Sequence, residues 1–207
     1  MNLKRTLFLL AAVLPLQLSA KVTLPAIFTD NMVLQQQADA PIWGEAKPMK
    51  AVKVTTSWDG KTYETLADKE GRWKLSVRTP EAGGPYELTL TDGGKLVLKN
   101  VMIGEVWICS GQSNMEHPME GWKWLPHSSI YRYKEEISDS DYPDIRLFSV
   151  PKYPAAVEIE DVPEKRWEIA NPQTIRTFSS IAWFFAKELH KRLRIPIGII
   201  NCSWAGT

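Results

Sequence analysis

The hydrophobic period of this chain changes at Val101, and that change limits the architectures open to it. Before it, short segments alternate apolar and polar residues between turn signals. Ala51-Val52-Lys53-Val54-Thr55-Thr56 has period two, as a half-buried strand does. Asp59-Gly60 is a hairpin-type turn that returns into Lys61-Thr62-Tyr63-Glu64-Thr65. Trp73-Lys74-Leu75-Ser76-Val77 alternates again, and Gly83-Gly84-Pro85 breaks the chain. Tyr86-Glu87-Leu88-Thr89-Leu90 then turns through Asp92-Gly93-Gly94 into Leu96-Val97-Leu98. Evenly spaced strands with no helical period between them predict an all-β sandwich of jelly-roll type over residues 21–103.

From Val101 the pattern is different. Val101-Met102-Ile103-Gly104-Glu105-Val106-Trp107-Ile108-Cys109 is mostly apolar and β-prone, which predicts a buried parallel strand ending in a Gly/Ser/Asn turn. Residues 117–172 are irregular and contain one clear strand, Ile145-Arg146-Leu147-Phe148-Ser149-Val150. Long irregular connections of this kind often build binding sites. A helix is expected over 172–194, because Phe178, Ile181, Ala182, Phe185, Leu189 and Leu193 recur at three- and four-residue steps. Asn171 is the expected N-cap and Pro172 the first helical residue. Lys187, Lys191, Arg192 and Arg194 suit the negative end of the dipole, and Pro196 ends the run. Ile197-Gly198-Ile199-Ile200-Asn201 reads as a second buried strand. Strand, crossover with a helix, strand opens an α/β layer domain over 104–207. Two such strands cannot cover both faces of a sheet, so this domain is expected to be incomplete.

Residues 1–20 read as a secretory signal. Lys4 and Arg5 form a basic head, Leu7 to Leu18 is an apolar run, and Leu18-Ser19-Ala20 offers small residues to a signal peptidase. The run is too short to span a bilayer as a mature helix and nothing stop-transfer-like follows, which disfavours an anchor. No cysteine near the cut suggests lipidation. The expected location is the periplasm or the exterior, with no membrane partner after cleavage. Lys plus Arg number 25 against 24 Asp plus Glu, so no electrostatic footprint for nucleic acid exists. In an exported compartment Cys109 and Cys202 could form a disulfide. At the ends of two buried runs they suit free core thiols equally, the reading slightly favoured.

The candidate nucleophile is Ser113, in Gly111-Gln112-Ser113-Asn114-Met115. It follows a buried strand at the end where open α/β sheets bind ligands. Gly111 permits a tight turn. A helix starting at Asn114 or Met115 would aim free N–H groups at a negative oxygen forming beside Ser113. Ser and Asn also serve as plain turn and capping residues, so Gly-x-Ser alone is a weak signal.

Val106-Trp107-Ile108-Cys109-Ser110-Gly111-Gln112-Ser113-Asn114-Met115 resembles the nucleophile segment of sialate O-acetylesterases, in the SGNH-hydrolase superfamily. Asp30-Asn31-Met32-Val33-Leu34-Gln35 with Pro41-Ile42-Trp43-Gly44 resembles the opening of that family's β domain. Phe178-Ser179-Ser180-Ile181-Ala182-Trp183-Phe184-Phe185 resembles its helix before the second strand, and Ser203-Trp204-Ala205-Gly206-Thr207 is similar to its Ser-Trp-Gly-Gly-Thr turn. The resemblance implies a flavodoxin-like α/β domain after the β domain, and a serine esterase that removes acetyl groups from a sugar, sialic acid foremost. It implies Ser113 as the nucleophile, its backbone N–H as one oxyanion donor, and Gly206 as the second donor in preference to Ala205, where the family has glycine. Gln112 and Asn114 match motif positions that shape the turn and, with Glu116, line the pocket.

The family's base, a His in an Asp-x-x-His segment with a nearby Asp, and its downstream oxyanion Asn have no counterpart here. His117 sits one helical turn from Ser113, His127 falls in the irregular stretch, and His190 falls late in the helix. The resemblance therefore implies a C-terminal segment or a second chain that completes the site. No metal-ligand spacing occurs, and no cofactor is expected. The alternatives are an esterase for acetylated xylan or another plant polysaccharide, and an inactive carbohydrate-binding fragment, since Trp numbers nine and stacks on sugars as readily as it fills cores.

Overall fold

The computed structural model describes residues 22–152, 154–162 and 165–206. The signal segment read at 1–20 lies outside them. Among the described residues no helix is long and apolar enough to cross a membrane.

The elements follow in the order β1 (Val33–Gln35), β2 (Asp39–Glu45), β3 (Ala51–Thr56), β4 (Thr62–Leu66), β5 (Arg72–Arg78), β6 (Gly83–Thr91) and β7 (Lys95–Gly111). Then come α1 (Ser113–Glu116), α2 (Tyr133–Ser138), β8 (Tyr142–Ser149), β9 (Glu168–Ala170), α3 (Ser180–Leu193) and β10 (Ile197–Ser203). The fold is mixed, as expected. One large sheet has the order β4-β3-β6-β7-β10-β8-β9, with β1 also paired to β7, and β2 and β5 form a separate two-stranded sheet.

The strands of residues 51–98 form where alternation places them. Val52 and Val54 of β3 and Leu88 and Leu90 of β6 are fully buried, and so is Ile42 of β2 on the facing pair. They form one apolar cluster with Met32, Trp73, Val77 and Val101. Full burial of each such side chain stabilises by about 1.5–3 kcal/mol.

The expected boundary between Ile103 and Gly104 falls inside one strand. The two separate runs read at 96–98 and 101–109 are a single strand, β7, with Asn100 at φ +55° between them. The first half of β7 pairs antiparallel with β6, and its middle pairs parallel with β1. Its second half pairs parallel with β10. The whole of Val101–Cys109 is not buried, in contrast to expectation: Trp107 is exposed and Ile108 is 69% exposed. The cause is topological, since beyond β6 this half of β7 has β10 on one side and no pairing on the other among the described residues.

The strand expected at 145–150 is no part of a loop. It is β8, parallel to β10, so three parallel strands stand side by side in the order β7-β10-β8. α3 covers one face of them. Ala182, Trp183 and Ala186 are fully buried against Ile145, Leu147, Ile197 and Ile199. The helix is shorter than expected, because Asn171 caps a turn instead. Its Oδ1 accepts from the N–H groups of Gln173 (2.9 Å) and Thr174 (3.1 Å). Ser179 is the real N-cap, accepting from Ala182 N–H at 3.1 Å. Lys187 does not serve the helix end; it shares the Glu136 carboxylate of α2 with the Trp183 indole N–H, at 2.5 and 2.7 Å. Arg194, in the left-handed region, closes the helix.

At Gly104 the backbone is gripped from both sides. Its carbonyl accepts from Gln36 N–H at 2.8 Å, and the next residue, Glu105, donates to Pro196 O at 3.0 Å. A Cβ there would stand 2.0 Å from Pro196 O. Gly104→Ala is therefore expected to cost about 1–3 kcal/mol, the usual range for forced overpacking. The denaturant midpoint would fall, and an unchanged midpoint would refute this account of the strand.

Candidate active site

The C-terminal ends of parallel strands β7, β10 and β8 lie along one edge of the sheet, and Ser113 stands there. β7 ends at Gly111, whose φ of +153° and nearby Met115 side chain exclude an easy substitution. Gln112, in extended conformation, caps no N–H with its side chain, and α1 begins at Ser113 itself, one residue earlier than expected. α1 is a single turn: Glu116 N–H donates to Gln112 O at 2.9 Å and His117 N–H to Ser113 O at 3.0 Å. The first N–H groups of such a turn have no intrahelical acceptor. Gln112, Ser113 and Asn114 are all exposed.

Two sets of contacts hold this turn. On one side the β10 end is registered against it, with Ser203 opposite Gly111 and Trp204 N–H donating to Gly111 O at 3.0 Å. The Ser203-Trp204-Ala205-Gly206 turn thus lies beside the Ser113 turn. On the other side α1 is tied to the start of α3. Ser179 Oγ contacts Met115 Sδ at 3.7 Å, Ser180 N–H donates to His117 O at 2.9 Å, and Met119 N–H donates to Phe178 O at 3.1 Å.

Glu116 is turned inward. Its carboxylate accepts from the Ala205 N–H and pairs with the Lys152 ammonium. Lys152 follows β8 in an irregular stretch without a pattern of its own, so nothing in the sequence marks it as a partner of Glu116. The Ala205 amide is thereby committed to Glu116. Gly206, at φ +81° with open space where a Cβ would sit, carries the other N–H of that turn.

The three histidines are dispersed. The His117 ring packs edge-on against Trp122, 5.9 Å between centroids, and Trp122 leans on the exposed Trp124 at 5.7 Å. His127 is exposed, at φ +63°. His190 Nδ1 meets Ile195 O at 2.8 Å, in keeping with a role at the helix end. Among the described residues none of the three is hydrogen-bonded to Ser113. Cys109 and Cys202 are free thiols; Cys202 Sγ lies 3.7 Å from Cys109 O, and burial pushes the Cys109 thiol above its ordinary range.

No family model matches the chain. The sialate O-acetylesterase of Mus musculus is 31% identical over 88% of the chain, and that of Homo sapiens 29% identical over 86%. The chain is thus similar over most of its own length to sialate O-acetylesterases. It spans 36% of the length of each of these relatives. A solved carbohydrate acetylesterase from Xanthomonas citri superposes with a TM-score of 0.79 at 34% identity, over 90% of this chain and 41% of that one. A likeness over this share of the chain necessarily spans the central Ser113 turn.

Gly111→Ala combines a backbone conformation that disfavours a side chain with a Cβ 3.1 Å from Met115 Cβ. It is expected to destabilise by about 1–3 kcal/mol and to loosen the Ser113 turn. Chemical denaturation and amide exchange at Asn114 and Met115 would register both effects; wild-type values for both would refute the constraint.

Proposed function

We propose that this chain carries the nucleophile and part of the oxyanion hole of a carbohydrate O-acetylesterase. The observation that carries this reading is the juxtaposition of the exposed Ser113 turn with the Ala205-Gly206 turn at the C-terminal edge of parallel strands, in a chain homologous to such esterases. Ser113 Oγ attacks the acetyl carbonyl and gives up its proton. The carbonyl oxygen becomes an oxyanion held by the N–H groups of Ser113 and Gly206. The ester C–O bond breaks, the sugar hydroxyl leaves with a proton, and water then cleaves acetyl-Ser113 to acetate and free serine. Gln112 and Asn114 shape the turn and line the pocket.

A hydroxyl needs a base within hydrogen-bond reach. With no imidazole bonded to Ser113, the base and its carboxylate come in this reading from a segment or second chain outside these 207 residues. The unpaired side of β7 supports that view. Trp107, in edge contact with Phe185, is exposed together with Ile181 and Phe184 of α3, while Ile108 is exposed on the opposite face of β7, and apolar surface left open in this way marks a contact site. The substrate we propose is O-acetylated sialic acid, after the names of the relatives. The protein is proposed to be exported, on the strength of its first twenty residues.

An organophosphonate tests the reading. Ser113 is expected to be labelled once a C-terminal piece with an Asp-x-x-His segment is supplied, while the 207-residue chain alone stays unlabelled and Ser113→Ala is never labelled. Full activity of the 207-residue chain alone would refute the externally supplied base. Absence of any adduct in the completed protein would favour a carbohydrate-binding role. Hydrolysis of O-acetylated sialic acid against acetylated xylan decides the sugar, and a clear preference for xylan would remove sialic acid.

A further inference from the structure

Because β7, β10 and β8 run parallel, the segments that follow them emerge at one edge, and one side chain joins all three. Glu116 follows β7, Ala205 follows β10 and Lys152 follows β8. The Glu116 side chain is 11% exposed, with one carboxylate oxygen on the Ala205 N–H and the other on the Lys152 ammonium. A carboxylate so far withdrawn from water is tolerable only when both oxygens are partnered. Both bonds are charge-assisted, one by the carboxylate alone and one by the ammonium as well, the strong kind.

We propose that Glu116 is a positioning residue that fixes the oxyanion loop, and that Lys152 keeps it electrically silent; this rests on the esterase reading above. The fixed quantity is the orientation of the Ala205-Gly206 turn. With the Ala205 N–H spent on Glu116, the Gly206 N–H is the amide of that turn left to face an oxyanion. Glu116 lies on the same helical turn as Ser113, three residues on, so the clamp ties donor and nucleophile to each other rather than each to the sheet separately. An unpaired carboxylate here would oppose negative charge forming beside Ser113, and the Lys152 cation cancels that opposition. Glu116 is therefore no contact for the sugar.

The test compares Glu116→Ala, Glu116→Gln and Lys152→Met. In the isotope-labelled 207-residue chain, the Ala205 amide is expected to be protected from hydrogen exchange. In Glu116→Ala its exchange should rise roughly tenfold or more, as loss of a hydrogen bond to a charged group implies. The Ile199 amide, in the core of β10, should be unchanged, which separates loss of the clamp from loss of the fold. Glu116→Gln keeps an acceptor and should retain most of the protection. In the full-length protein, Lys152→Met should cost the Ala205 amide less protection than Glu116→Ala does yet lower kcat about tenfold with KM held, whereas a lysine that supported only the fold would expose the Ile199 amide as well. Equal Ala205 exchange in wild type and Glu116→Ala overturns the proposal, as does an unchanged kcat in Glu116→Ala. If the clamp is seen in exchange but wild-type Ser113 never labels, the contact stands and the esterase reading is the one that fails.

Discussion

Strand β7 has to satisfy two different sets of partner strands along its 17 residues, and the arrangement of everything else follows from how it does so. Its N–H and C=O groups pair with β6 and β1 in the first part and with β10 in the second. The exchange of partners happens around Gly104, where strands approach so closely that a single carbon would collide with Pro196 O. A buried polar backbone leaves no room for error of register, since a slip by one residue would turn every inward side chain outward. The β module therefore fixes the height and rotation at which the strand arrives at Gly111, and so where Ser113 is presented.

Arg146 reinforces that coupling from the other direction. It is a β8 residue, nearly fully buried, with its Nε on Pro143 O at 2.8 Å and Nη2 on Asn100 Oδ1 at 3.4 Å. Asn100 is the residue at which β7 kinks, and its Nδ2 donates to Asn31 Oδ1 at 2.7 Å. Burial lowers the pKa of the guanidinium from its ordinary value without taking away its charge, so the carbonyl and amide oxygens around it are its compensation. The kink in the strand and the buried cation depend on the same asparagines.

Legibility from sequence followed the strength of the local signal. The segment 51–56 was readable to the residue, because alternation reports directly which side is buried. The kink at Asn100 made β7 look like two strands, since Lys99-Asn100 breaks the apolar run and only the distant Asn31 explains the conformation. Asn171-Pro172 carries a sound capping signal, but its turn serves Thr174, and Ser179 caps the helix instead. β8 was visible as a strand and invisible as a member of the sheet, because pairing with β10 is decided by a crossover, not by pattern. The turns after β7 and β10, which carry Ser113 and Ala205-Gly206, were readable as turns at strand ends. Lys152 was not: a lone lysine in an irregular stretch has no periodicity to betray a partner 36 positions away.

The edge where the three parallel strands end also explains a division of labour. Contacts that fix backbone direction, such as Trp204 N–H on Gly111 O and Ser180 N–H on His117 O, are made within the described residues. Among the described residues, groups whose protonation would have to change during ester cleavage are not bonded to Ser113. Under the esterase reading, this separates what must be rigid from what must exchange protons. Oxyanion donors contribute most when they do not reorganise, so their place is on the sheet itself, held by strand pairing. A base works through a proton it takes and returns, and it tolerates arrival on another segment provided its final geometry is met. Ile108 and Trp107 are exposed on opposite faces of β7 beside the Ser113 turn, so apolar surface is open there without disturbing the pairing that holds Ser113.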